Sequence, residues 1–409
     1  MTIGLVVSVI GTRTIEGGSD GAVAGGLLPV FWVAALVTVG ELISFSSPLI
    51  AASAARFSPA KVLVSADFAE AALSTVAVLL LVLWPGGTVP ILVTYLLVAA
   101  IFPAVGDVVE EFYGQQLAQV DVHEALTFNA SIYSALAFVG IVVAMPFGSI
   151  LSGVSIVMLI GANAVFSWLG ASFRIVSART VITPPLLSQD PEEFDALGSR
   201  MPVREFLHDL WRSGFASPLY SLIEQMGATL SGVFVYLAIA RQSGFDPSVA
   251  LAVVIATFGA GATIGPWIGK AMAARLNPRA LLIGVTASTV VMLTLFALAM
   301  TLIGGQWFWW IGLAYALLLG VASRVREVVI TTLRQREYRG KRFSRIMSWS
   351  FSATALGAIV GSWIAVAIRA VESPSAAILS AAALLLIAAL IASMNRPKTI
   401  TRRDTTAAG

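Results

Sequence analysis

Two pairs of charged residues, at the same spacing in well-separated apolar segments, are the strongest candidates for chemistry in this chain. Asp107 and Glu110 form the first pair, and Arg324 and Glu327 form the second. A charged side chain near the centre of a lipid-embedded helix costs about 2.5 to 3.5 kcal/mol on insertion scales. Such a residue therefore usually faces a protein interior or a watery path, where it can bind an ion, a proton or a polar ligand.

Three more charged residues lie in the first apolar segment. Arg13, Glu16 and Asp20 are spaced i, i+3 and i+7, so a helix would carry them on one face. This polar stripe is typical of a helix that lines a cavity. Alternatively, the glycines that follow Glu16 end the helix early and leave Glu16 and Asp20 in an outside loop.

Glu224 is the best single candidate for a proton-binding site, because it stands alone in its apolar segment. Burial of an isolated carboxyl group favours its neutral form, so the group can exchange a proton near neutral pH. The alternative is that Glu224 lies close enough to the cytoplasmic surface to be solvated.

The composition indicates that these residues belong to a membrane protein. Of the 409 residues, 58% are hydrophobic and 11% are charged, whereas a soluble domain has about 25% charged residues. The mean hydropathy is +0.89. The apolar blocks are long enough for helices of about 20 residues, the length that spans a bilayer core. The expected fold class is therefore an all-α integral membrane protein.

Several other functions are disfavoured by what the sequence lacks. The absence of cysteine excludes disulfides, thiol catalysis and thiolate metal sites. The two histidines, His123 and His208, do not have the spacing of metal ligands, so we predict neither an enzyme nor a bound metal or cofactor. The net charge of +3 is interpreted as a loop-orientation signal and not as a nucleic-acid footprint.

Twelve apolar segments, in two sets of six, are predicted to cross the membrane. The first set covers about residues 3–24, 28–54, 61–84, 89–112, 125–149 and 153–176, and the second covers about 216–240, 247–272, 279–303, 308–332, 345–370 and 374–394. The predicted domains are an N-terminal six-helix bundle (1–176), a cytoplasmic linker with a short amphipathic helix (177–213), a C-terminal six-helix bundle (214–394) and a cytoplasmic tail (395–409).

Lysine and arginine are concentrated in alternate connections, as expected for loops on the cytoplasmic side. One rich stretch runs from Arg334 to Arg345 between the tenth and eleventh segments, and another fills the tail. The outside loops contain only Arg241 and Arg369. Both termini are therefore predicted to be cytoplasmic, and the predicted location is the cytoplasmic (inner) membrane.

Two internal matches at nearly the same offset predict a duplicated architecture. Ala-Ala-Arg ending at Arg56 recurs 219 residues later at Arg275, and the charged pair that begins at Asp107 recurs 217 residues later at Arg324. Two six-helix halves related by an axis along the membrane normal would explain both.

This repeat gives the charged residues candidate partners. Asp107 and Arg324 would meet near the two-fold axis and could close a cytoplasmic gate as a switchable ion pair. Arg326 is expected to reach out toward the membrane interface, as is Glu110. Asp67 is interpreted as structural, bonded to the second-to-third loop.

Several motifs resemble those of a known family. Residues 48–67 resemble the second-to-third loop signature of the major facilitator superfamily, and their counterpart in the second half does too. Residues Ser8-x-x-Gly11, 125–130 and 338–342 resemble the bacterial exporter branch that handles drugs and siderophores.

This resemblance implies a rocker-switch carrier whose cavity is lined by the first, fourth, seventh and tenth helices. It implies proton-coupled efflux of a small organic molecule by a monomer, an antiporter with lipid, protons and substrate as its partners. The residues proposed for the cavity and for proton coupling are Glu224, Asp107, Arg324, Glu327, Arg13, Glu16 and Asp20. An importer or lipid flippase of the same fold, or a non-transporting sensor or accessory protein, are the alternatives.

Overall fold

In the computed structural model, the chain folds into helices joined by short connections. The structure describes residues 2–26, 28–54, 57, 59–106, 108–109, 122–180, 214–303, 306–338 and 340–394. The linker and tail predicted from the sequence therefore lie almost wholly outside the described residues. Ten of the described helices are long and apolar enough to cross a membrane, and Pro90–Gly106 forms a shorter apolar helix.

Six helical spans form the first half. They are Thr2–Ala24; Phe31–Ser44 with Ser47–Ala54; Pro59–Leu83; Thr88–Ala99 with the helical residues 101–106 and 108–109; Val122–Leu136, Ala137–Ala144 and Met145–Ser152 as one rod; and Ile156–Thr180. Ala137–Ala144 is a π-helix within the fifth span.

Six spans form the second half. They are Pro218–Ser231 with Val233–Arg241, Pro247–Ala273, Pro278–Leu302, Gln306–Glu337, Gly340–Ala367 and Pro374–Met394. The local sequence determines where several of these helices begin. Asp246 and Asn277 accept hydrogen bonds from the first backbone N–H groups of the eighth and ninth spans, and a proline begins each helix.

The two halves repeat the same packing. In the first half, span 1 contacts spans 5 and 6, span 3 contacts spans 4 and 6, and span 2 contacts span 4. In the second half, span 7 contacts spans 11 and 12, span 9 contacts spans 10 and 12, and span 8 contacts span 10. Adding six to each number of the first set gives the second. The predicted duplication into two six-helix bundles is confirmed.

The halves meet along two seams. Span 2 packs against span 11, and span 5 packs against spans 8 and 10. Span 1 touches spans 7 and 8 beside these seams. A hydrophobic cluster shared by both halves joins Val23, Ala24, Val33 and Ala34 of the first half to the buried run Phe234–Ala240 of the seventh span.

One predicted span end is wrong, and two arginines near span ends are buried. The tenth span continues to Glu337, so Arg334 is not a loop residue but a buried residue of that helix. Arg174, which falls inside the predicted sixth span, is likewise a buried helical residue at 5% exposure. Both arginines are buried because polar partners on neighbouring helices offset the cost of removing the charge from water. Span ends cannot be placed by hydropathy when a charged residue has such a partner.

Candidate functional site

The first span carries its polar stripe inside the helix. The helix continues through Gly17, Gly18 and Gly21 to Ala24, so the alternative of an early end is wrong. Arg13 Nη1 donates to Glu16 Oε2 at 2.5 Å, and each side chain is 43% exposed. Both charged groups are therefore partly accessible, although most of this helix is apolar.

The glycines of this helix explain which way the stripe faces. A Cβ atom on Gly17 would lie 2.0 Å from the Met145 carbonyl oxygen of span 5, and one on Gly11 would lie 2.1 Å from Asn163 Oδ1 of span 6. The side opposite spans 5 and 6 therefore holds Glu16. This side faces the second half, because Arg241 of span 7 donates to the Val23 carbonyl oxygen at 3.2 Å.

Glu224 is not the isolated carboxyl group that its sequence context suggests. Arg326 Nε donates to Glu224 Oε1 at 3.1 Å, from span 10 to span 7. The Arg326 side chain is only 2% exposed, so the prediction that it reaches out to the membrane interface is wrong. Glu224 is 23% exposed, which leaves one part of the pair accessible.

Polar groups surround this pair inside the second half. Arg334 Nη2 donates to Ser221 Oγ at 2.6 Å, and Arg334 Nε donates to the Ala216 carbonyl oxygen at 3.3 Å. The Tyr220 hydroxyl and Arg326 Nη1 are buried without a hydrogen-bond partner. Two guanidinium groups, those of Arg326 and Arg334, therefore lie in this part of the second half.

Arg324 forms its ion pair within its own helix. Arg324 Nη1 contacts Glu327 Oε2, one turn along span 10. The expected partner, Asp107, lies outside the described residues, and so does Glu110. The cross-half ion pair stays a prediction, and it now has to compete with the Arg324–Glu327 contact.

Neutral side chains join the halves near one end of the molecule, here called the Asn129 end. Asn129 Nδ2 of span 5 donates to Gln335 Oε1 at 2.9 Å and to Thr332 Oγ1 at 3.1 Å, both on span 10. Tyr133 and Thr331 approach to 3.4 Å beside them. Asn129 lies in a motif noted in the sequence, but no feature of the sequence indicates its partners.

The opposite end, here called the Ser248 end, is joined in the same manner. Ser149 Oγ of span 5 donates to the Ser248 carbonyl oxygen at 3.0 Å, and Ser248 Oγ donates to the Gly21 carbonyl oxygen of span 1 at 3.2 Å. The halves are therefore in contact at both ends of the seam that span 5 forms with spans 8 and 10. The polar stripe of span 1 lies between these ends.

Span 3 carries two buried acidic residues, Asp67 and Glu70. Asp67 pairs with Arg174 of span 6 at 2.9 Å, and both side chains are buried. Asp67 thus links two helices of one bundle, a structural contact that the sequence does not specify. Glu70 is buried one turn later among hydroxyl and amide groups. Among the described residues, no group of three or more acidic or histidine side chains could hold a metal ion.

Solved structures with the same arrangement identify the fold. The structure of the human organic anion transporter MFSD10 (TETRAN) superposes with a TM-score of 0.70 at 13% identity, over 96% of this chain and 97% of that one. The proton:xylose symporter XylE gives 0.69 at 14% identity, over 97% and 96% of the two chains. The chain has the major facilitator fold. A bacterial homologue of the iron transporter ferroportin, in its outward-facing state, gives 0.65 at 15% identity, over 96% and 98%.

At the sequence level, no protein-family model and no curated protein matches the chain. The similarity to major facilitator structures therefore rests on the three-dimensional arrangement of the helices. At these identities it shows the fold alone, and the exporter branch suggested by the motifs stays a prediction.

Proposed function

We propose that the protein is a secondary active transporter that moves a small organic molecule across the cytoplasmic membrane by alternating access. The observation that carries this proposal is the half-exposed pair of Arg13 and Glu16 within an apolar span, on the face toward the second half. Exposed charges at this depth need water or a polar ligand, because lipid solvates them poorly. A cargo that enters between the halves meets this need.

Charge at the site favours a polar or zwitterionic cargo. Arg13 offers a guanidinium group and Glu16 a carboxylate on the same face, while Glu224 is the accessible part of a pair whose arginine is buried. A ligand with groups of both signs could exchange for the Arg13–Glu16 contact without leaving either charge unpaired.

Alternating access would use the two ends in turn. We assign the Asn129 end to the cytoplasmic side, with both termini there, on the basis of the lysine and arginine distribution. Hydroxyl and amide hydrogen bonds hold the halves together at both ends, each with a net contribution of only about 0.5 to 1.5 kcal/mol, and the Arg241 contact with the Val23 carbonyl oxygen adds one charged donor near the Ser248 end. Contacts of this size can be broken at one end while the other stays closed.

Transport into proteoliposomes with an imposed pH gradient tests the proposal. Labelled amphiphiles and siderophores would be screened in both directions, with the purified protein present as a monomer. We expect one class to accumulate against its gradient when protons move the opposite way, as in efflux. Accumulation driven by protons moving the same way would instead indicate an importer.

Glu16→Gln should abolish the accumulation, and the control Glu372→Gln should not. Glu372 suits this purpose because its side chain is exposed and its carboxylate forms a surface ion pair with Arg369. If every compound equilibrates equally with and without the protein, the transporter proposal is wrong.

A further inference from the structure

Glu70 is a buried carboxyl group to which the transport proposal gives no role. It lies in span 3 at 4% exposure, in contact with side chains of spans 1 and 6. Thr12 Oγ1 of span 1 donates to Glu70 Oε1 at 3.4 Å, and Asn163 Nδ2 of span 6 donates to the same oxygen at 3.5 Å. All of these contacts are with uncharged groups.

No cation balances Glu70 among the residues that the structure describes. Arg174, which is buried in the same bundle, pairs with Asp67 at 2.9 Å. Asp67 precedes Glu70 by one helical turn, so its negative charge disfavours a second ionised carboxylate beside it. An unpaired carboxylate in a low-dielectric interior usually becomes neutral by binding a proton. The surroundings of Glu70 meet this condition.

Hydrogen-bond counting around Asn163 supports the same conclusion. Its Nδ2 atom has two N–H bonds but lies 2.5 Å from Tyr95 Oη, 3.1 Å from Ser74 Oγ and 3.5 Å from Glu70 Oε1. Asn163 Oδ1 is buried without a hydrogen-bond donor. The Tyr95 and Ser74 hydroxyls can accept as well as donate, so this cluster also has acceptors for the O–H donor that a protonated Glu70 supplies.

We propose that Glu70 is a proton-binding site within the N-terminal bundle, separate from the Glu224–Arg326 pair, and that it carries the coupling proton. Its role in coupling rests on the transport function proposed above. Because Glu224 is ion-paired, the sequence argument for an isolated, proton-exchanging carboxyl group applies to Glu70 instead.

Thr12 connects Glu70 to the face of span 1 that meets the second half. The Thr12 side chain is half-buried, whereas Glu70 is almost inaccessible. Thr12 lies one helical turn before Glu16, on the same side of the helix. A proton that leaves Glu70 through the Thr12 hydroxyl therefore emerges beside the polar stripe.

The other ionisable groups near Glu70 are accounted for on each neighbouring span. Span 4 contributes Tyr95, span 6 contributes Arg174, and span 3 contributes Asp67, which is paired with that arginine. On span 1, the adjacent Arg13 is paired with Glu16 and contacts the Gly140 side of span 5. These groups leave Glu70 as the carboxyl group without a countercharge in this cluster.

Infrared spectroscopy of the purified protein tests the protonation directly. We expect a band of a neutral carboxyl group at pH 7 that is lost in Glu70→Gln and retained in the exposed control Glu372→Gln. The same band in both variants would overturn the proposal. A wild-type band that disappears on adding sodium chloride, but not choline chloride, would also overturn it, because the site would then bind sodium.

A conformational readout separates this site from the transport function. The chain has no cysteine, so the reaction of Thr332→Cys with a maleimide reports opening of the Asn129 end. We expect its labelling rate to depend on pH in an otherwise wild-type protein and to lose that dependence with Glu70→Gln. Glu372→Gln should keep it.

If the labelling rate still depends on pH in Glu70→Gln, another group binds the proton and the proposal is wrong. Because the assay uses no cargo, it decides the role of Glu70 even if no transported compound is found. Gln has the shape of a protonated Glu, so the variant is expected to fold, and Glu70→Asp provides a second variant that keeps the ionisable group.

Discussion

At the scale of single residues, the central fact is that buried charges in this protein come with specific partners. Arg326 is almost completely buried and depends on Glu224, and Arg174 depends on Asp67. Removing one member of such a pair leaves the other charge desolvated and unpaired, whereas replacing both members is often tolerated. Glu70 differs from these residues because its contacts are uncharged.

This contrast predicts the behaviour of the Glu224–Arg326 pair. Glu224→Gln should destabilise the folded protein by about 3 to 5 kcal/mol, because it leaves the Arg326 guanidinium buried without a countercharge. The double change Glu224→Gln with Arg326→Met should recover most of this loss. Unfolding in mixed detergent micelles measures both. Equal losses for the single and double variants would rule out the ion pair as the cause.

The Arg13–Glu16 pair should behave in the opposite way. Both side chains are 43% exposed, and exposed pairs contribute only about 0 to 1 kcal/mol to stability. Glu16→Gln should therefore leave the unfolding midpoint nearly unchanged while it abolishes accumulation in proteoliposomes. A large loss of stability would mean that Glu16 acts in folding and not in binding cargo.

At the scale of helices, glycine allows neighbouring backbones to touch. A Cβ on Gly261 of span 8 would lie 2.0 Å from the Leu317 carbonyl oxygen, and a Cβ on Gly320 of span 10 would lie 2.2 Å from the Phe258 carbonyl oxygen. The two glycines pack reciprocally. Small residues permit this approach in membrane helices, where packing replaces the hydrophobic effect.

Gly261→Ala should consequently cost about 1 to 3 kcal/mol, because the added methyl group meets backbone that cannot move aside. Gly284→Ala in span 9 is the matched control, since a Cβ there has nothing within 4 Å. It should be neutral, or stabilise the helix by up to about 1 kcal/mol. Thermal unfolding in detergent measures both changes. Similar effects of the two substitutions would contradict close packing at Gly261.

The π-helix of span 5 lies where three helices converge. A Cβ on Gly140 would meet Arg13 Cγ of span 1 at 3.1 Å, and one on Gly259 of span 8 would meet the Ile141 backbone at 2.9 Å. Short π-helical segments are frequent at functional sites. Here the segment brings the backbone of span 5 against both the polar stripe and the second half.

At the scale of the whole molecule, two similar bundles are held together at both ends of one seam. The hydrogen bonds that join the halves at these ends involve hydroxyl, amide and backbone groups and the Arg241 guanidinium group, and none of them is an ion pair.

A cross-link should trap the Asn129 end in this closed arrangement. Asn129→Cys with Thr332→Cys, in a chain that has no other cysteine, should be joined by a short thiol-reactive cross-linker, because the native side chains are 3.1 Å apart. We expect transport to stop when a cleavable cross-linker joins the pair and to return when it is cleaved. Each single cysteine serves as a control. Full transport by the cross-linked protein would show that this end need not open.

The sequence alone was sufficient for the class, the number of spans and the duplication. Hydropathy over about 20 residues reports burial in lipid without reference to any partner. The offset between Arg56 and Arg275 reports a repeat that the helix contacts then reproduce. These features depend only on local composition and on spacing along the chain, so they could be predicted before any contact was known.

Only the tertiary structure decided which charges are paired. Glu224 stands alone in its own segment because its partner, Arg326, lies 102 residues away in another span. Arg334 resembles a loop residue for the same reason. Glu70 is recognised as a carboxyl group with only uncharged contacts once spans 1, 3 and 6 are assembled. The free-energy cost of a buried charge depends on the groups within a few ångströms of it. Separation along the chain does not show which groups these are.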